Sequence, residues 1–153
     1  MATYTKQMQQ IVEDYRASGQ PWPATARAMA QWAVHTRRWE LPAAAVVSKC
    51  ADDLATAMRE EYYTDPKGRR VRLLHAAKRH AGGEQLTLWD DIRTADRLHM
   101  QLAFQQRRQS IVGDCRQLKV DADSYSDAHP EQAPIQPVFD FTMDLAELEA
   151  AAA

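Results

Sequence analysis

The stretch Glu61-Tyr62-Tyr63-Thr64-Asp65-Pro66-Lys67-Gly68-Arg69-Arg70-Val71-Arg72-Leu73 marks the place where the chain changes period. Before it, apolar residues recur at helical spacing. Within it, Asp65, Pro66 and Gly68 occupy the preferred places of a type I turn. After the turn, Arg70-Val71-Arg72-Leu73 alternates basic with apolar, as a half-buried strand does. Val71, Leu73 and His75 share one face of that strand, and Arg70 and Arg72 share the other. The stretch therefore reads as a basic hairpin, and the fold depends on what is joined to each side of it.

On the N-terminal side the pattern is helical. Tyr4, Met8, Ile11, Val12 and Tyr15 fall on one face of a first helix, closed by Gly19 and Pro21. Pro23 can open a second helix, through Ala26, Met29, Ala30 and Ala33 to about Arg38. After the turn "RRWELP", Pro42 opens a third, running to about Tyr62 and burying Val46, Val47, Cys50, Leu54, Ala57 and Met58. Connections this short require the three helices to pack closely. Trp22, Trp32 and Trp39 cluster at the first turns and are expected in that core. Cys50 and Cys115 lie far apart and outside any CxxC arrangement, so both read as reduced, packed thiols.

Three helices followed by a basic hairpin resemble, in element order and charge, the winged helix-turn-helix domain over about residues 4–77. That resemblance implies a mainly α protein with a small β-hairpin or sheet, whose second motif helix enters the DNA major groove while the wing touches the backbone. Residues 24–37 would then support the recognition helix at 42–60, with Ser48 and Lys49 as its early contacts. Asp52, Asp53, Glu60 and Glu61 make that helix acidic further on.

Charge is unevenly distributed. Residues 1–119 hold all 19 Lys and Arg against 13 acids, a net +6, whereas residues 120–153 hold 8 acids and no base. Lys67, Arg69, Arg70, Arg72, Lys78 and Arg79 form a run without an acid, the expected contact surface for phosphates. Guanidinium groups there can grip phosphate oxygens in a bidentate way.

Beyond the basic run, "GGEQLTLWDD" (residues 82–91) alternates Leu86 and Leu88 with Thr87 and Trp89, as a strand with one buried face would. It is expected as a third strand beside Val71–Leu73. Gln85, Leu86, Leu88 and Trp89 also resemble the short peptide by which bacterial replication and repair proteins dock on the sliding clamp. That resemblance implies a displayed protein-binding motif instead. Asp90 and Asp91 are expected to interact with the N-terminal dipole of the next helix.

From Thr94, a candidate N-cap, a helical stretch runs to about Tyr125. Met100, Phe104, Ile111, Cys115, Leu118, Ala122 and Tyr125 keep near-heptad spacing, interrupted by "QQRRQ". Gly113 can mark a bend. Over ~40 Å long at 1.5 Å per residue, such a helix either packs back across the domain or pairs as a homodimer. A proline-bearing linker follows, then an acidic tail whose Val138, Phe139, Phe141, Leu145 and Leu148 can dock, with a short helix from Thr142. The tail either folds over its own body or is offered to a partner, with Phe139 and Phe141 as the contacts. The domain reading is 1–92 winged helix, 93–125 long helix, and 126–153 linker and tail.

Composition narrows the remaining classes. Hydrophobic residues make up 45% and charged residues 26%, ordinary for a globular protein. No apolar run approaches the ~20 residues of a membrane helix, and "MATYTKQMQQ" lacks the apolar core of a signal peptide, so a cytoplasmic location is expected. His35, His75, His80, His99 and His129 are scattered, with no zinc spacing, and no nucleotide-binding loop or nucleophile elbow occurs. No enzyme, metal or cofactor is expected. The leading expectation is a protein binding double-stranded DNA, regulatory or linked to replication or a mobile element. The alternative is an adaptor that binds partner proteins through the winged domain and the linear segments.

Overall fold

A computed structural model of the chain describes residues 3–152. The order is α1 (Tyr4–Ala17), α2 (Ala26–His35), α3 (Ala45–Arg59), β1 (Tyr62–Thr64), β2 (Arg70–Arg72), β3 (Leu74–Ala81), β4 (Glu84–Asp91), α4 (Arg97–Ala128) and α5 (Thr142–Ala152). The protein is mainly helical, with two small antiparallel sheets and one long helix. Two compact units divide it, Met1–Thr56 and Ala57–Ala153.

In the first unit, α1 begins at Thr3 and α2 at Thr25, each threonine hydroxyl accepting the backbone N–H three residues on. Ile11, Tyr15 and Ala33 are buried. The Tyr15 ring meets Trp32 edge-on at 5.4 Å, and its hydroxyl donates to the Pro21 carbonyl. Two expectations fail here. Trp22 is exposed, with the Arg16 guanidinium 4.6 Å from its ring, while Trp32 and Trp39 are half-buried. No residue of α3 is buried: Val46, Val47, Cys50 and Leu54 all face solvent. The periodicity correctly indicated a helix with an apolar face, but a helix satisfies its own backbone bonds whether or not that face finds a partner.

The second unit starts from the hairpin β1–β2, in which Tyr62, Tyr63 and Thr64 oppose Arg72, Val71 and Arg70. Its turn is fixed by Asp65. That carboxylate is almost buried and accepts the N–H groups of Lys67 and Arg69 and the Arg69 Nε. The Arg69 N–H is the chief reason its pKa lies below the ordinary carboxylate range. Gly68 has φ 79°, which a side chain would resist.

Beyond β2 the same extended run changes partner at Leu73. Its N–H donates to the Glu61 carbonyl, and its own carbonyl accepts from Ile92. β3 then pairs with β4 in a second hairpin, Leu74 opposite Asp91 through Ala81 opposite Glu84. Gly82 and Gly83 connect them with φ 58° and 82°, the paired positive angles of a two-residue hairpin. "GGEQLTLWDD" is thus a strand, as its alternation indicated, but its partner is the run 74–81 rather than Val71–Leu73. The expected burial of Leu86 and Leu88 also fails, since they remain 40% and 38% exposed. Replacing both with alanine should therefore lower the melting temperature by on the order of 10 °C, since each kilocalorie moves the melt by roughly 2–8 °C. The cost expected is roughly half of the 2–5 kcal/mol of a fully buried leucine at each site. A thermal melt by circular dichroism checks this; collapse of the unit would mean that these side chains are covered in solution.

Helix α4 lies against β3. It begins at Asp96, not Thr94, with the Asp96 carboxylate accepting the His99 N–H. Asp91 is taken by Arg93 instead of a helix dipole. Ala77 of the strand and His99 and Ala103 of the helix are buried at the junction, and His99 Nε2 reaches the His75 carbonyl at 2.8 Å. Gln106 donates to the Lys78 carbonyl and accepts its N–H. The helix continues through Gly113 to Ala128. Cys115 is half-buried, and Phe104, Ile111, Leu118 and Tyr125 are each about half exposed. The tail helix α5 has no buried residue, so the expectation that it folds over its own body also fails. With four carboxylates and no base from residue 140 onward, most of its polar surface favours water.

Candidate nucleic-acid interface

Only some of the residues expected from sequence come together. On the paired strands, Leu74, Ala76, Lys78 and His80 alternate with His75, Ala77, Arg79 and Ala81. Leu74, Ala76 and Lys78 of the first set, with His75, line a cleft of about 380 Å³ that they share with Thr87 and Trp89 of β4. Ala103, Gln106, Arg107 and Ser110 of α4 form one wall, and Arg59, from the last turn of α3, with Arg72 completes the rim. Arg59, Arg72, Lys78 and Arg107 thus line one cleft, and no carboxylate does.

Each cation is placed by a local cause. Arg59 stands over the Trp89 ring at 5.6 Å, a cation–π separation. Arg72 belongs to the β2 face opposite Val71. Arg107 follows Ala103 by one helical turn, on the side of α4 that meets the sheet. Partial burial lowers the Arg107 pKa below its usual value, and the like charge of Arg72 adds to that. Arginine stays charged regardless. His75, which also lines the cleft, has its pKa pushed down from its usual range mainly by burial. The cleft therefore holds uncompensated positive charge beside an aromatic face and the polar Thr87, Gln106 and Ser110.

The other expected contacts lie elsewhere. Arg69 is bound to Asp65 at 2.7 Å, Arg79 lies 3.5 Å from Asp96, and Arg70 stacks on Tyr62 at 4.0 Å. Lys67 sits exposed in the hairpin turn. Ser48 and Lys49 are on the exposed surface of α3, with Lys49 paired to Asp53 at 2.8 Å. Of the clamp-like residues, Leu86 and Leu88 share one face of β4, while Gln85 and Trp89 share the other. Phe139 and Phe141 lie exposed before α5.

Arg59 and Arg107 were missed in the sequence. The first closes an apparently acidic helix, and the second lies within "QQRRQ", read only as an interruption of a heptad. The lack of any acid from Arg97 to Ser110 was the available signal for Arg107.

Among the described residues no helix is long and apolar enough to cross a membrane, and no three His, Cys, Asp or Glu side chains stand where they could hold a metal ion. Comparison with known proteins assigns no family: no family model, no curated protein and no solved structure matches the chain.

Proposed function

We propose that this chain binds double-stranded DNA, chiefly through phosphates held by the second unit. The observation that carries the reading is the cleft in which Arg59, Arg72, Lys78 and Arg107 converge without a carboxylate. A cluster of this kind gains little from water and much from a polyanion, because each phosphate neutralised releases condensed counterions. The basic hairpin β1–β2 adds Lys67 and Arg70 outside the cleft as further phosphate contacts. In the winged-helix form of this proposal, α2 and α3 are the helical motif and β1–β2 is the wing. The affinity then rests on the hairpins and α4 more than on α3, whose Lys49 is already paired with Asp53. No base-reading residue is assigned, so binding of low sequence selectivity is expected.

Fluorescence anisotropy with a random duplex at two salt concentrations tests the proposal. Four phosphate contacts give a slope near −3.6 in log K against log salt, so affinity should fall about 10²-fold between 50 and 200 mM. Absence of binding at the lower salt defeats the reading. The adaptor alternative would then be favoured by the exposed apolar residues of the tail, Val138, Phe141, Met143 and Leu148.

A further inference from the structure

We infer that α4 pairs antiparallel with α4 of a second copy of this chain, through a seam formed by Phe104, Arg108, Ile111, Cys115, Leu118 and Ala122. The inference stands independently of the nucleic-acid proposal. These residues alternate in steps of four and three, the spacing that keeps one stripe of a helix facing a partner helix. Within the chain, Phe104, Ile111 and Leu118 are about half exposed, and the Phe104 ring meets the His75 ring nearly perpendicular at 5.6 Å. The stripe also lies well round the helix from His99, Ala103 and Gln106, which hold the sheet. A second helix can therefore occupy it without displacing β3.

Two features choose a second copy, and an antiparallel one. The first is size. Large residues (Phe104, Ile111, Leu118) occupy one of the two seam positions, and Cys115 and Ala122 occupy the other. Antiparallel pairing sets one class against the other: Phe104 opposite Ala122 of the second copy, Ile111 opposite Cys115, and Leu118 opposite Arg108. Parallel pairing would set Phe104 on Phe104, Ala122 on Ala122 and Arg108 on Arg108, giving alternate crowding, a void and like charges. The second feature is charge. Residues 97–108 carry Arg97, Arg107 and Arg108 without an acid, whereas residues 114–127 carry Asp114, Asp121, Asp123 and Asp127 against Arg116 and Lys119. Running the helices in opposite directions sets the positive half against the negative half, with Arg108 within reach of Asp114 of the second copy. The two hairpin units then lie towards opposite ends of the pair. Ala103 of one copy falls opposite position 123 of the other, so the two Ala103 residues are separated along the axis by about 30 Å.

Sedimentation equilibrium and site-directed crosslinking test this together. At concentrations on the order of tens of micromolar the wild type should have twice the 17.4 kDa chain mass. Ile111→Asp with Leu118→Asp should halve it while leaving the circular dichroism of the hairpin unit intact. In a Cys50→Ser background, Ile111→Cys should give a covalent dimer on mild oxidation, through the native Cys115 of the second copy, whereas Cys50→Ser alone should not. A monomeric wild type overturns the inference. So does efficient crosslinking of Cys50→Ser alone, since that requires Cys115 to face Cys115 in a parallel pair. Should the double aspartate variant fail to fold, the crosslinking pair still decides.

Discussion

Replacing His99 with alanine should lower the melting temperature of the hairpin–helix unit by about 10 °C or more. His99 is 2% exposed, the largest fully buried side chain among the described residues. Since a carbonyl only accepts, its Nε2 must carry the proton donated to the His75 oxygen. Truncation removes both the ring and the bond, leaving a cavity between helix and strand beneath a carbonyl that has lost a donor. Cavity formation and the lost hydrogen bond together should cost about 3–5 kcal/mol. That is a large part of the 5–15 kcal/mol by which domains are usually stable, and each kilocalorie moves the melt by roughly 2–8 °C. A shift below about 3 °C would mean that α4 is held on the sheet by other contacts.

Removing two cleft arginines, Arg72→Gln with Arg107→Gln, should weaken duplex binding about 10²-fold at 50 mM salt and make the salt slope shallower by about 2. The matched control is Arg69→Gln with Arg79→Gln. It also removes two positive charges, but each of those guanidiniums is close to a carboxylate, Asp65 or Asp96. The control should lose less than tenfold. Equal losses from the two pairs would mean that overall charge, not the cleft, draws the polyanion; anisotropy titrations at several salt concentrations distinguish the outcomes.

What could be read in the sequence was chiefly local. Asp65-Pro66-Lys67-Gly68 announced its turn because the groups that close it lie within four residues of one another. Thr142 likewise announced α5, and alternation announced β4. The partner of β4 was not legible. "LHAAKRHA" has the alanines of a helix and the charge of a solvated run, and it becomes a strand because β4 and α4 pair with it. The glycine pair before β4 was the missed sign of that hairpin. The three-helix core failed for the opposite reason: an apolar stripe on α3 states what the helix could bury, not what will cover it. The cleft was half legible. Arg72 and Lys78 stood in the basic run, but Arg59 and Arg107 join them only through folding, 48 residues apart along the chain.

Gln106 has a consequence for how the molecule can grow. A hairpin has two free edges, and each offers unpaired backbone groups to any passing strand. On the β3 side the glutamine amide supplies one donor and one acceptor to Lys78, as a neighbouring strand would, and the body of α4 stands behind it. The β4 side has no strand beside it among the described residues. Strand addition, whether by a guest peptide or in early aggregation, is thereby confined to one direction, and the carboxylates of Glu84, Asp90 and Asp91 at the two ends of β4 disfavour an acidic newcomer there.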